Sequence, residues 1–159
     1  MMNWKCLTFS QLTTEQLYEL LKLRVDVFVV EQTCPYPELD NKDREQDVCH
    51  LLGYQGGELL AYARILPPGI SYQNVSFGRV AIAQSARGQG LGQTLVATIL
   101  SYCQQLWPNR DIDIGAQEYL LDFYQGFGFS AISAVYLEDD IPHLDMRLTR
   151  SPENTPEQA

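Results

Sequence analysis

The chain has 159 residues, 45% of them hydrophobic and 19% charged, enough to bury a core without disulfide or metal staples. Its 11 basic and 20 acidic residues give a net charge of −9, which repels phosphate backbones and argues against nucleic acid as a partner. No apolar run reaches membrane-spanning length and no basic-then-apolar stretch opens the chain, so neither a membrane anchor nor a secretory signal is expected.

Residues 4–9 read as a first strand. Thr13-Thr14-Glu15-Gln16 then fits a capping box, with Thr13 as N-cap and Gln16 three residues on. The helix it opens carries Leu17, Leu20, Leu21, Arg24, Val27 and Phe28, an amphipathic face for packing on a sheet. Val29-Val30-Glu31-Gln32 ends it, with a break. Residues 33–47 change texture: Cys34-Pro35-Tyr36-Pro37-Glu38, then Asp40, Asp43, Glu45 and Asp47 mixed with Lys42 and Arg44. Two prolines and many carboxylates predict a loop, either a solvated one or a wall on the substrate side.

Residues 49–54 and 59–66 are apolar runs around Gln55-Gly56-Gly57-Glu58, a hairpin signal. Pro67-Pro68-Gly69 stops the second run. Val75-Ser76-Phe77-Gly78-Arg79-Val80-Ala81-Ile82 reads as another strand and feeds Ser85-Ala86-Arg87-Gly88-Gln89-Gly90-Leu91-Gly92. Leu91, Leu95, Ile99, Tyr102 and Leu106 then recur at helical spacing until Trp107-Pro108 stops them. Strand, glycine turn and helix together aim backbone N–H groups and a positive helix end at an anion. A phosphate loop needs a Lys after its glycines, but no Lys follows Lys42. A dinucleotide turn needs a third small residue where Gln93 stands. What remains is Arg87-x-x-Gly90-x-Gly92.

Residues 111–115 predict a brief strand and 118–125 a short helix, ended by Gly126-Phe127-Gly128-Phe129. Residues 131–137 and 143–148 are the last predicted strands, joined by Glu138-Asp139-Asp140-Ile141-Pro142. The domain is expected over residues 1–149, with 150–159 a polar, disordered tail. Cys6, Cys34, Cys49 and Cys103 are scattered and form no Cys-x-x-Cys pair, which argues for reduced thiols in a cytoplasm. Cys49-His50 is too sparse a pair for a metal centre, so no metal is expected.

The Arg87-x-x-Gly90-x-Gly92 turn, with its strand before and helix after, resembles the GNAT superfamily of acyl-CoA-dependent N-acetyltransferases. Tyr124-x-x-x-Gly128-Phe129 is a second resemblance. Leu23-Arg24-x-x-Val27-Phe28-Val29-Val30-Glu31-Gln32-x-Cys34-Pro35-Tyr36, Tyr62-Ala63-Arg64 and residues 138–143 look like the family's bacterial ElaA-like subgroup, whose acceptor is poorly defined. The resemblance implies an α/β (α+β) fold, a mixed, mostly antiparallel twisted sheet of about 6–7 strands with helices on both faces. It implies acetyl-CoA as co-substrate, its pyrophosphate held by Arg87, Gly88, Gln89, Gly90, Leu91 and Gly92. Backbone N–H groups of Val80, Ala81 and Ile82 would polarise the thioester carbonyl. Gln117 stands where many members have a cofactor-contacting Asn, and Tyr124 would protonate the departing thiolate.

Some members place a glutamate on the fourth strand as base; residues 75–82 contain no carboxylate. Candidate bases are therefore Glu31, His143 and His50, although His50 in Cys49-His50-Leu51 also reads as a structural histidine. Arg24, Phe28, Glu31, Tyr36 and Arg64 are candidate substrate contacts. Arg24, Arg64 and Arg79 otherwise read as structural ion pairs, and a carboxylate-bearing acceptor is the sharper reading. The acceptor is an amine of a small molecule or of a protein, for which the acidic loop would be a docking wall. The alternative function is a non-catalytic acyl-CoA sensor. Homodimers are frequent in the family, and no residue pattern here specifies an interface.

Overall fold

A computed structural model describes residues 1–151. The predicted tail beyond them, residues 152–159, lies outside the described residues. Arg150 and Ser151, the first two residues of the tail expected at 150–159, are held: their N–H groups both donate to Asp111 Oδ1 at 2.8 Å.

Strand β1 (Asn3–Thr8) leads to helix α1 (Thr14–Arg24), whose capping box forms as read. The Gln16 N–H donates to Thr13 Oγ1 at 3.0 Å and the Thr13 N–H donates to Gln16 Oε1 at 2.9 Å. The regular helix ends earlier than the break expected at residues 29–32: after Arg24 it widens into a π-helical turn over Val25–Glu31. Val25, Val27, Val29 and Val30 crowd this stretch with β-branched side chains. The hairpin β2 (Cys49–Gln55) and β3 (Glu58–Leu66) turns at Gly56 and Gly57, φ +60° and +81°, the left-handed pair a two-residue turn requires. Strand β4 (Ser76–Ile82), helix α2 (Leu91–Leu106) and strand β5 (Ile112–Gln117) follow.

The C-terminal third departs from the sequence reading. The helix expected at 118–125 is a 3-10 turn over Glu118–Leu120 and a short α3 (Leu121–Gln125). The strand expected at 131–137 is two pieces, β6 (Ser130–Ala131) and β7 (Tyr136–Glu138), both paired to β8 (Ile141–Leu148). Between them the Asp145 N–H donates to the Ser133 hydroxyl at 2.9 Å, a side chain standing in for the ladder partner. The expected loop at 138–142 is only Asp139 and Asp140, both with positive φ, since Glu138 pairs with Ile141 and Leu137 with Pro142.

The strands form two antiparallel halves, β1-β2-β3-β4 and β5-β8-β6/β7. They meet at a parallel bridge between Val75 and Ile112, where the Asp113 N–H donates to the Val75 carbonyl at 2.9 Å. Period-2 alternation sends neighbouring residues of β2 and β3 to opposite faces. Leu51, Ala61, Ala63 and Ile65 pack toward Leu95, Val96 and Ile99 of α2. Leu52, Leu59 and Tyr62 pack toward Leu20 and Leu23 of α1. Helices thus cover both faces, as expected. No helix among the described residues is long and apolar enough to cross a membrane.

Thr13→Ala removes the oxygen that caps α1 and should cost about 1 kcal/mol. Urea unfolding checks this, and an unchanged midpoint would show that the box contributes nothing.

Candidate active site

Beyond the Val75–Ile112 bridge β4 and β5 separate, and a cleft of about 730 Å³ opens between them. Gly78, Arg79, Val80 and Ile82 line one side, and Ile114, Gly115, Ala116 and Gln117 the other. Each strand has a ladder partner on its far side only, β3 for β4 and β8 for β5. Backbone amides along the cleft are therefore available to an extended, amide-containing ligand.

Strand β4 carries a bulge. Tyr62 pairs with Ala81 but Arg64 with Gly78, one extra residue on β4, and Arg79 takes φ +52°. That left-handed backbone is costly for a residue with a side chain. The Arg79 side chain is correspondingly gripped: Nε donates to Glu38 Oε2 at 2.8 Å, Nη2 lies 3.5 Å from Asp40 Oδ2, and the guanidinium sits 5.7 Å from the Tyr36 ring centre.

Glu38 belongs to a buried network. Arg24, with no exposed surface, donates to Glu38 Oε2 at 2.6 Å and to Asp43 Oδ1 at 2.7 Å. Arg64 donates to both oxygens of Asp40, at 2.8 and 2.9 Å, and to Asp43 at 3.1 Å. Burial raises the Asp40 carboxyl, but the Arg64 hydrogen bonds and charge outweigh it and hold the group down at about 2. The loop at 33–47 is thus a wall. Tyr36, Asp40 and Lys42 face the cleft, while Glu38 and Asp43 face inward to arginine. Those inward carboxylates are not presented to a docking protein.

Of the expected site residues, Phe28, Glu31, Tyr36, Arg64, Val80, Ile82, Arg87, Gln117, Tyr124 and His143 line the cleft together. Tyr124 comes from α3 and is 5% exposed, its ring against Phe77, Phe123 and Phe129. Burial pushes its hydroxyl pKa well up, keeping the proton on. On β8, His143 stands opposite Gln117 of β5. Its Nδ1 lies 2.7 Å from the Ile141 carbonyl, which can only accept, so Nδ1 carries a hydrogen, and in the neutral ring Nε2 is the nitrogen with the lone pair. Glu138 Oε2 lies 3.6 Å from that Nε2.

Glu31, at the end of the π-helical turn, is tied to Arg87, whose Nη2 donates to Glu31 Oε1 at 2.8 Å while Nη1 donates to Oε2. Arg87 holds the Glu31 carboxyl below its ordinary value, the opposite of what a base needs. Arg87 also donates to the Ile82 carbonyl from Nε and Nη2, at 3.1 and 3.0 Å. The turn after it takes positive φ at Gly88 and Gly90, and no side chain caps α2. Gly88, Gln89, Gly90, Leu91 and Gly92 lie outside the cleft lining, with Arg87 as the member that reaches it.

His50, Arg24 and Ala81 also lie outside it. His50 is fully buried, with Nε2 3.1 Å from the Asp43 carbonyl and Nδ1 2.6 Å from the Tyr62 hydroxyl. Both ring nitrogens are occupied and burial lowers the pKa, so His50 is a structural residue and not a cleft base. Arg24 is sealed by its carboxylates, and Ala81 packs toward α1. Sequence reasoning missed Lys42, Tyr72 and Tyr136 as cleft residues. Tyr72 and Tyr136 come from segments far apart in sequence, and no local motif marks either one.

A family model described as an acetyltransferase (GNAT) domain matches residues 12–150. Protein ElaA of Escherichia coli (strain K12) is 45% identical over 146 residues, 92% of this chain and 95% of that protein. The crystal structure of an acyl-CoA N-acyltransferase from Pseudomonas aeruginosa superposes with TM-score 0.89 at 45% identity, covering 92% of this chain and 99% of that one. The crystal structure of Escherichia coli ElaA gives 0.87 at 44%, with the same coverage.

The network makes stability acid-sensitive. Asp40 drops from 3.8 to about 2 on folding, so its contribution is full above 3.8 and is lost as pH falls toward 2. Thermal midpoints should fall across that window, and Asp40→Asn should start lower and decline less steeply. An equal slope in the variant would remove Asp40 from the effect.

Proposed function

The chain belongs to the GNAT acetyltransferase domain family, and on that premise we propose that it transfers an acetyl group from acetyl-CoA directly to an amine, acting in the cytoplasm. The single observation that carries the reading is the cleft at the β4–β5 split, whose wall includes both Tyr124 and His143. Its open strand edges suit the amide-bearing arm of CoA. The Gly88–Gly90 turn and the uncapped start of α2 suit its pyrophosphate. With Arg87 engaged by Glu31 and the Ile82 carbonyl, backbone N–H groups hold the phosphates and Arg87 ties the turn to β4. The free thiols of Cys6, Cys34, Cys49 and Cys103 fit a reducing compartment.

In the proposed reaction the amine nitrogen attacks the thioester carbonyl carbon. The C–N bond forms, the C–S bond breaks, His143 Nε2 takes a proton from the amine, and Tyr124 gives one to the departing sulfur. Proton exchange with solvent resets both groups. An alkylamine with pKa ~10.4 is mostly ammonium at neutral pH, and deprotonating it costs roughly 4–5 kcal/mol, which a histidine base and a desolvated cleft must cover. A buried tyrosine holds its proton harder than a free one, so Tyr124 acts only as the tetrahedral species collapses. The N–H groups of the bulged β4 stabilise the oxyanion of that species.

Calorimetric titration with acetyl-CoA, followed by mass-shift assay of an amine panel, tests the reading. Arg87→Ala should weaken acetyl-CoA binding about tenfold, and unchanged affinity would separate the turn from the cofactor. Tyr124→Phe should cut turnover while leaving acetyl-CoA affinity intact. His143→Gln should cut turnover with acetyl-CoA affinity retained; unchanged turnover would assign the base elsewhere. Acetyl-CoA binding with no transfer to any amine would favour the acyl-CoA sensor.

A further inference from the structure

Of the two sequence readings of Arg24, Arg64 and Arg79, structural ion pairs or recognition of an acceptor's carboxylate, the fold bears out the first: all three are neutralised. Arg24 pairs with Glu38 and Asp43, Arg64 with Asp40 and Asp43, and Arg79 with Glu38 and Asp40. Arg87 is paired with Glu31. Lys42 differs from the arginines of the cleft. Its Nζ donates to the neutral Ser71 hydroxyl at 2.8 Å, and among the described residues no carboxylate stands in ion-pair contact with it.

Lys42 is not a loose surface lysine. Its own N–H donates to Asp40 Oδ1 at 3.1 Å, and Asp40 is forked by Arg64. The next residue, Asp43, is buried between Arg24 and Arg64. Its backbone is thus held on both sides, which lowers the entropy lost when the ammonium takes a ligand.

Between Lys42 and the base assigned above, the cleft lining includes Ser71, Tyr72 and Tyr136. Ser71 precedes Tyr72, whose hydroxyl donates to Asp145 Oδ1 at 2.9 Å. The Tyr136 hydroxyl donates to the same oxygen at 2.7 Å. A Cβ on Gly115 would come within 3.0 Å of the first hydroxyl and 3.1 Å of the second, so only glycine leaves them room over β5. The Tyr136 ring stacks on His143, centroids 6.1 Å apart and planes 21° apart. Both tyrosine protons are committed to Asp145, leaving the rings as apolar surface. The wall therefore has a cation at one end, apolar surface between, and His143 with Glu138 at the other.

Resting on the transfer reading, we infer that the acceptor is a small amine carrying a carboxylate, with an apolar spacer between carboxylate and nitrogen. Lys42 and Ser71 hold the carboxylate while His143 meets the nitrogen. One ammonium beside a neutral hydroxyl matches a single negative charge better than a phosphate dianion.

The test compares ω-amino acids of increasing chain length with the alkylamines of the same length, in wild type, Lys42→Met and Lys42→Glu. At the matching length the wild type should favour the acid in kcat/KM by about tenfold or more, mainly through KM. Lys42→Met should erase that preference by lowering kcat/KM for the acid far more than for the alkylamine, and Lys42→Glu should invert it. Equal use of acid and alkylamine by the wild type would overturn the inference, as would better use of an aminoalkyl phosphate or an equal loss on both substrates in Lys42→Met. Calorimetric binding of the same acids to the CoA-loaded protein reads the subsite without chemistry. Affinity that falls in Lys42→Met supports the inference even if no acetyl group moves, in which case the transfer reading alone fails; affinity indifferent to Lys42 overturns the inference.

Discussion

The structure turns on a buried exchange of charge in which Arg24, Arg64 and Arg79 stand against Glu38, Asp40 and Asp43. Guanidiniums and carboxylates this deep are tolerable only as complete pairs, and stripping one partner typically costs about 3–5 kcal/mol. Here the pairing carries geometric information. Arg24 ends α1, Arg64 sits on β3, Arg79 sits on the bulge of β4, and the three acids come from one loop. The loop is thereby laid against the sheet, and the left-handed backbone of Arg79 is held where the cleft needs it. Arg64 Nε has no hydrogen-bond partner, the one buried side-chain polar atom left so among the described residues.

The cleft follows from topology as much as from side chains. Two antiparallel half-sheets meet through parallel neighbours, β4 and β5, which touch at the Val75–Ile112 bridge and then diverge. Diverging strands leave two rows of backbone amides facing one space. A bulge adds local twist and widens the gap on the β4 side. The same split brings Tyr124, which follows β5, and His143, on β8, to a cleft whose opposite side is β4.

The chemistry of the wall depends on who is already paired. Glu31 has the composition of a base but is held ionised by Arg87. His50 has a suitable imidazole but donates to one carbonyl and accepts from one tyrosine. His143 has Nδ1 fixed as a donor by the Ile141 carbonyl, so in the neutral ring Nε2 is the acceptor, the arrangement a base requires. Hydrogen-bond commitment, more than residue type, separates the three candidates.

Local signals were legible in the sequence. The Thr13–Gln16 cap, the Gly56–Gly57 hairpin, the strand–glycine turn–helix around Arg87 and the stop at Trp107-Pro108 are each written within a few residues, because backbone geometry there depends on near neighbours. The family resemblance rested on such local motifs and is matched by the family model. The sequence did not reveal the division of residues 131–137 or the pairing of the arginines. It also did not reveal that, among the described residues, Lys42 is the cleft cation whose side chain meets a neutral partner while the cleft arginines are paired with carboxylates. Those depend on contacts between residues such as Arg24 and Asp43, or Tyr72 and Asp145, that lie far apart in the chain. Charge and hydrogen-bond capacity are properties of the sequence; which partner uses them up is decided only when the elements pack.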